Sequence, residues 1–379
     1  MFDIRNINDT ERLYWIRLAR CEGIGPKTFF DLLQVYGSVE AALAALPNIL
    51  KRTKKDPLNI CSLSVARKEL DAVHKLGGKI ITLVEPDYPE LLRNIPDPPP
   101  VITVLGDISI LSETLIAVVG SRKAAANSSK FTQLLSQDLC RAGYTIVSGL
   151  AIGIDSVAHN TAIENGGNTI AVLGSGADVV YPQKNRELYS KVKEQGVIVS
   201  EFPLGANPKP QNFYNRNRVI SGLSLGVVVV EASLSSGSLV TAKKAMEQRR
   251  AVFSVPGFPL DSRFSGSNKL IKQDAFLTES AQDIIDVINN TKDQKTDLFD
   301  SGYYRLQLYN KITDAPLENE IGKIKAEIIA VLDSTPAGIE DIIKSTGFKL
   351  NTVLIALVEL ELEGKLERHF GNKVCLLYD

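Results

Sequence analysis

Six short loops hold most of the residues in this chain whose types and spacing could do chemistry. They read GSRK (Gly120–Lys123), SGLAIGID (Ser148–Asp155), GSGADVVYP (Gly174–Pro182), SEF followed by KPQNFYNRNR (Lys209–Arg218), EASLSSGS (Glu231–Ser238) and PG (Pro256–Gly257). Small residues let backbone N–H groups come close to an anion, and a helix start adds partial positive charge. Ser236, Gly237 and Ser238 read as an anion cradle at a helix N-terminus, with Thr241 and Lys244 following on the helix. A plain serine N-cap has the same signature. The cations at these loops are Arg122, Lys209, Arg216 and Arg218, with Lys243 and Lys244 beyond the cradle. Phe213 and Tyr214 lie among them. Guanidinium groups hold phosphates, and an aromatic ring stacks a base for ~1–3 kcal/mol, so the mixture suits a single-stranded nucleic acid. Core packing is the plain alternative for Phe213. The candidate binding set is Gly120, Ser121, Arg122, Ser148, Gly149, Gly153, Lys209, Phe213, Arg216, Asn217, Arg218, Ser236, Gly237, Ser238, Thr241 and Lys244.

Other chemistries have weaker signals. Asp155 and His159 stand four apart and share a helix face, as an acid/base pair or half a metal site would. With no third ligand at a recognisable spacing, a helix cap and a structural histidine fit better. Glu201 and Glu231, at strand ends, are either acids of an N-glycosidase or partners that orient Arg216 and Arg218. No GxxxxGK[ST] occurs, which excludes a P-loop, and GSGADVV is an incomplete dinucleotide fingerprint on the wrong strand. Cys21, Cys61, Cys140 and Cys375 show no CxxC spacing. That argues against a zinc site or a disulfide framework and for a reducing cytoplasm. No metal or cofactor is expected.

The elements that position these loops follow from the apolar runs. LIAVVG, TIVSG, TIAVLG, VIVSEF, GVVVVEA and AVFSVPG read as buried strands. Helices are expected near Ser128–Ala142, Ile154–Glu164, Asn185–Glu194, Asn215–Leu223 and after Gly237, with AQDIIDVINN closing the block. This alternation predicts a parallel, doubly wound α/β sheet whose ligands sit outside the carboxyl ends of the strands. GKIITL and VITVLG add two short strands before it, around a proline-rich turn. Upstream, residues 12–47 read as short helices, and CEGIGPKTFFDLLQVYGS resembles a helix-hairpin-helix element, or a tight turn between packed helices. Residues 291–320 read as a linker. From 321 to 379, three helices and a hairpin with a Gly-Asn turn suggest a small separate winged helix. The expected domains are thus 1–75, 76–290 and 321–379.

Charge supports the central block. Of 43 basic and 44 acidic side chains, residues 114–290 hold 18 and 14, whereas residues 322–379 hold 7 and 9. An anionic partner is therefore expected on the middle of the chain. The N-terminus has no apolar signal-peptide core, and no stretch of ~18 apolar residues occurs, so no membrane span is expected.

VVGSRKA, VSGLAIGIDSVAH, TIAVLGSGADVVYPQKN, VSEFPLG, FYNRNRVISGLS, VVVEASLSSGSLVTAKKA, VFSVPG and GSNKLIKQDAF together resemble the DprA/Smf family, over residues 114–280. The resemblance implies an extended Rossmann domain flanked by a SAM-like helical domain and a winged helix. It implies binding of single-stranded DNA, protection of incoming strands in natural transformation, help in loading RecA, homodimerisation through the Rossmann domain and no enzymatic activity. By the family's motifs, Arg122, Arg216, Arg218, Phe213 and the Ser236–Ser238 loop would meet DNA. Two departures stand out: KAAANSSK follows GSR, and Arg249 stands where the family's EQGREVF has glycine. The competing reading is a nucleotide-processing enzyme of the phosphoribohydrolase type, using the same strand ends.

Overall fold

The computed structural model describes residues 3–53, 59–293, 321–369 and 371–377. Four helices open the chain: α1 (Asp9–Ala19), α2 (Pro26–Tyr36), α3 (Val39–Thr53) and α4 (Leu63–Lys75). A mixed α/β segment follows, with strands β1 (Gly78–Thr82), β2 (Val101–Gly106), β3 (Leu115–Val119), β4 (Thr145–Ser148), β5 (Thr169–Val172), β6 (Val197–Ser200), β7 (Gly226–Val229), β8 (Ala251–Ser254) and β9 (Phe276–Leu277). Its helices are α5 (Glu90–Arg93), α6 (Ala126–Arg141), α7 (Ile154–Glu164), α8 (Arg186–Gln195), α9 (Pro210–Leu223), α10 (Ser238–Glu247), α11 (Ser265–Ile271) and α12 (Ala281–Asp293). The C-terminal segment holds α13 (Ile321–Val331), α14 (Ile339–Thr346), α15 (Leu350–Leu362) and strands β10 (Ala337–Gly338), β11 (Leu366–His369) and β12 (Lys373–Leu376).

The nine strands form one sheet in the order β1-β2-β6-β5-β4-β3-β7-β8-β9. From β6 to β9 all pairings are parallel, and β1–β2 and β2–β6 are antiparallel. Strands β3 to β7 are buried at every position, as a sheet covered on both faces requires. The chain winds outward through β3, β4, β5 and β6, then returns to lay β7 on the other edge of β3. That reversal creates a topological switch point, where loops from neighbouring strand ends part to opposite faces and leave a crevice. Ile116, Val118, Ile146, Val228 and Phe253 pack against Leu135, Leu139, Ala158, Ala162, Ile284 and Ile288 of α6, α7 and α12 to fix the sheet beneath it.

Several boundaries differ from expectation. Helix α9 begins at Pro210, five residues before the expected start at Asn215. Proline at the first helical position has no N–H to satisfy and its φ suits the helix, so KPQN is helix start rather than loop. Helix α11 and the two-residue strand β9 were not expected. Arg249, which replaces the family's glycine, sits at φ +57, a left-handed position that costs a side-chain-bearing residue about 1 kcal/mol.

By spatial clustering the chain divides into two units, Met1–Lys68 with Gly302–Asp379, and Glu69–Ser301. The first boundary therefore falls inside α4 rather than after residue 75. Of the expected linker, residues 291–293 belong to α12, and the rest lies outside the described residues. The winged helix is present, but it is not a separate body. Helix α15 packs on α2 and α3, and Val35 joins the core of Ile324, Ile328, Leu354, Leu357 and Val374. Gly371 and Asn372, at φ +78 and +57, make the expected hairpin turn. Gly23 (φ +76) and the N-cap Gly25 form the turn between α1 and α2.

Candidate nucleic-acid interface

A cleft of about 700 Å³ opens at the switch point between β3 and β7. Its floor is Val119, Gly120, Ser121, Arg122 and Lys123 after β3, with Glu231, Ser233 and the Ser236–Ser238 turn after β7. Pro210, Phe213, Tyr214, Arg216, Asn217 and Ile220 of α9 make one wall; Ala151, Asp155, Val240, Thr241 and Arg263 complete the lining. Doubly wound sheets place ligands in such a crevice.

Each loop is held by hydrogen bonds from the elements around it. Glu231, fully buried, accepts the Ala125 N–H at 2.9 Å and so pins the end of the GSRK segment. Gly153, at φ +85, comes so near Ser121 that an added Cβ would lie 2.2 Å from the Ser121 carbonyl oxygen, and Ile154 N–H donates to that oxygen at 3.2 Å. The turn after β4 therefore buttresses GSRK from beneath. In the cradle, the Ser236 hydroxyl lies 2.7 Å from that of Ser238, and Ser236 Oγ accepts the Ser238 N–H at a long 3.4 Å. The N-cap Gly237 gives no side-chain bond. Asn217 Nδ2 donates to the Gly237 carbonyl at 3.3 Å and ties α9 to the start of α10. The partial positive charge of that helix start faces the cleft.

Cations complete the surface. Arg122 and Lys123 are exposed, and neither takes part in an ion pair among the described residues. Arg216 is buried and donates through Nη1 to the Gly149 carbonyl at 2.9 Å and to that of Val172. Burial lowers its pKa to about 10, Asp155 works the other way and Arg122 adds to the fall; it is a cation at neutral pH. Both guanidinium groups lie over the Phe213 ring, Arg122 at 5.7 Å and Arg216 at 6.0 Å.

The remaining sequence candidates are placed elsewhere or act indirectly. Arg218 is not in the cleft: it is buried, with Nε 3.3 Å from Asp97 and Nη2 2.5 Å from Glu201. Glu201 thus orients Arg218, whereas Glu231 orients neither arginine. Ser148 is buried and donates to the Val118 carbonyl. Gly149 lies under the Arg216 guanidinium. Lys209 is the exposed N-cap of α9, and Lys244 is paired with Glu247 at 2.8 Å; neither lines the cleft. Asp155 does not cap α7, whose N-cap is Gly153. It accepts the Gly149 and Ala151 N–H groups, and burial raises its pKa against the pull of Arg216. His159 is fully buried with Nδ1 2.7 Å from Thr169 Oγ1, and burial lowers its pKa to about 3, so it is a neutral structural histidine. Lys123 and Arg263 were missing from the expected set. Arg263 is held by Asp261 at 2.6 Å in a short turn that carries no periodic signal. None of the four cysteines is in a disulfide bond. Among the described residues no single helix is long and apolar enough to cross a membrane.

Fold and cleft together define a Rossmann-like protein with an anion-receptive, cation-lined crevice at its switch point, carried with helical and winged-helix modules. The comparisons with known proteins give the same class. The family model described as DNA recombination-mediator protein A matches residues 79–289, the DprA-like N-terminal HHH domain matches 9–72, and the DprA winged helix domain matches 313–372. Protein Smf of Synechocystis is 31% identical over 96% of this chain and 98% of its own length. The DNA processing protein DprA of Bacillus subtilis is 39% identical over 71% of this chain and 94% of its own. Among solved structures, DNA processing protein A from Streptococcus pneumoniae aligns with TM-score 0.61 and 33% identity over 74% of this chain and 98% of its own. The Helicobacter pylori protein, whose structure addresses its single-stranded DNA binding mode, aligns with TM-score 0.51 and 27% identity over 57% of this chain and 96% of its own. The chain belongs to the DprA/Smf family.

Proposed function

We propose that this chain binds single-stranded DNA along the switch-point cleft, protects incoming strands and helps load RecA in DNA uptake and recombination, acting as a homodimer in the cytoplasm. The observation that carries the DNA reading is the pairing of two unneutralised cations, Arg122 and Lys123, with the serine/glycine turn at the start of α10 in one open crevice. An open groove of this kind suits a polymer. Family membership supports the RecA and dimer parts of the reading.

A role without catalysis is supported by how the candidate acid/base groups are used. Asp155 is spent on backbone N–H groups, His159 is neutral against Thr169, and Glu201 is paired with Arg218. One observation favours the competing nucleotide-processing reading. Glu231 Oε1 has no hydrogen-bond partner, and Glu231 lines the cleft. Titrating labelled single-stranded DNA and nucleoside monophosphates in parallel separates the two. Polymer binding that weakens steeply with salt, with no release of base or phosphate, is the expected result. Steady release abolished by Glu231→Gln would establish the enzyme instead.

A further inference from the structure

Phe213 is the residue on which sequence reasoning places a stacked base, but its surroundings are already filled. Two guanidinium groups lie over its ring, Tyr181 packs 5.3 Å away with the planes at 35°, and the bare backbone of Gly174 runs so close that an added Cβ would be 2.7 Å from Phe213 Cδ1. The ring serves as a post that holds Arg122 and Arg216 at the cleft. Its neighbour on α9 is arranged differently. Tyr214 lines the cleft and is 46% exposed. It stands one turn before Asn217, which binds the serine/glycine turn. An aromatic ring left in water beside a phosphate-receptive helix start is suited to the base attached to that phosphate. Tyr181, also exposed, does not line the cleft.

We infer that Tyr214 is the base-stacking platform of the cleft, and that Phe213 acts through the two arginines it holds. The inference rests on the single-stranded DNA reading and adds the contact that would make the cleft read bases as well as phosphates. Stacking on an aromatic is tolerant of sequence, because every base offers a π-face.

The test compares two oligonucleotides of equal length, oligo(dT) and a fully abasic strand, by anisotropy at one salt concentration. Tyr214→Ala should weaken oligo(dT) binding by roughly tenfold and leave the abasic strand unchanged, while Tyr214→Phe keeps full affinity. Phe213→Ala should weaken both strands alike, since it loosens phosphate-binding groups. If Tyr214→Ala weakens neither strand, or weakens both equally, while the unaltered protein binds, the platform is elsewhere and only the inference fails. If the unaltered protein binds neither strand, the DNA reading itself fails and the inference falls with it.

Discussion

In the sheet unit, Arg122 and Lys123 stand in an open cleft without a carboxylate partner among the described residues; in the helical unit, three cations of the winged helix, Lys325, Lys365 and Arg368, are each met by carboxylates. Arg368 of the hairpin is 8% exposed and lies 2.6 Å from Asp31 of α2 and 3.0 Å from Glu361 of α15. Burial works against its charge, yet Asp31 and Glu361 outweigh that and raise its pKa. Glu359, fully buried, takes Arg52 of α3 at 2.7 Å and Lys325 of α13 at 3.1 Å. Lys325 also reaches Glu363, as does Lys365 at 2.8 Å. The glutamates at the end of α15 are therefore ion-paired within the helical unit. Glu359 and Glu361 fasten the winged helix to α3 and α2 through Arg52 and Thr28, and Glu363 ties Lys325 of α13 to Lys365. Basic residues alone do not mark a phosphate site; what marks one is positive charge that the protein leaves unpaired. A duplex-reading winged helix presents its third helix and wing to phosphates, and here those two elements are engaged with α2 and α3.

The largest expected effect breaks the fastening. Glu359→Gln removes the charge that serves both Arg52 and Lys325, and losing one partner of a buried ion pair costs about 3 kcal/mol. Urea unfolding monitored on the helical unit should show that loss. Binding of single-stranded DNA should stay within about twofold, because no phosphate contact is touched. A comparable loss of DNA affinity would mean that the helical unit shares the site.

The second expectation separates the units by pH. His159 ties α7 to β5 in the neutral form, with a pKa of about 3 in the fold, below its ordinary value of 6.5. Below 6.5 the unfolded chain binds a proton that the folded chain refuses. The sheet unit's stability is thus complete above pH 6.5 and falls as the pH drops toward 3, by about 1.4 kcal/mol per unit for this one group. The pair of Glu363 with Lys325 and Lys365 behaves otherwise. Burial opposes the Glu363 charge, but the two lysines prevail and hold its pKa below 4.5, so the pair persists until stronger acid. Between pH 6.5 and 5 the sheet unit should lose stability faster than the helical unit, and His159→Gln should flatten the fall. An unchanged slope in that variant would assign the acid sensitivity to other groups.

How much of this was legible in the sequence depended on range. Helix α7 begins and ends where expected, because its start is a local glycine turn. The strand-end loops were legible too, since glycine and serine after apolar runs act locally. What failed was direction around a helix. Arg216 and Arg218 are two residues apart on α9, so they point about 200° apart and cannot both face the cleft; Arg216 turns to Phe213 and Arg218 to Asp97 and Glu201. The packing of α15 on α2 and α3 joins residues some 300 positions apart, as Arg52 and Glu359 do with a separation of 307, and no local pattern reports it. The hairpin hides another long-range set. Glu367 faces Cys375 across the register, and with His369 they come within 4.8 Å of one another despite the absence of any metal-ligand spacing in the sequence.

Arg122→Ala tests the unpaired side of the comparison. The residue is exposed and holds the ring of Phe213 only from one side, so stability should change little. Affinity for single-stranded DNA should fall roughly fivefold, and the salt slope should flatten by about 0.7, the value of one phosphate contact on a single strand. Unchanged affinity and slope would remove Arg122 from the site.

The smallest effect is expected on the wing. Arg368 is committed to Asp31 and Glu361, and Lys365 to Glu363, which leaves Lys373 as an exposed basic residue of the hairpin with no ion pair among the described residues. It is the place where the comparison is most open to failure, because by the criterion of unpaired charge Lys373 qualifies as a phosphate contact. It differs from Arg122 in its surroundings. The helix start beside it, that of α14 whose N-cap Gly338 pairs with Lys373 across the sheet, carries the acidic side chains of Glu340 and Asp341 in its first turn, and a lone exposed charge is largely screened at physiological salt. Lys373→Glu should therefore change single-stranded DNA affinity by less than about twofold and leave the salt slope unaltered. If instead the charge reversal matches Arg122→Ala in both affinity and slope, the wing belongs to the DNA surface. The distinction would then have to be redrawn between the buried pairs of α15 and an exposed hairpin tip that works with the cleft.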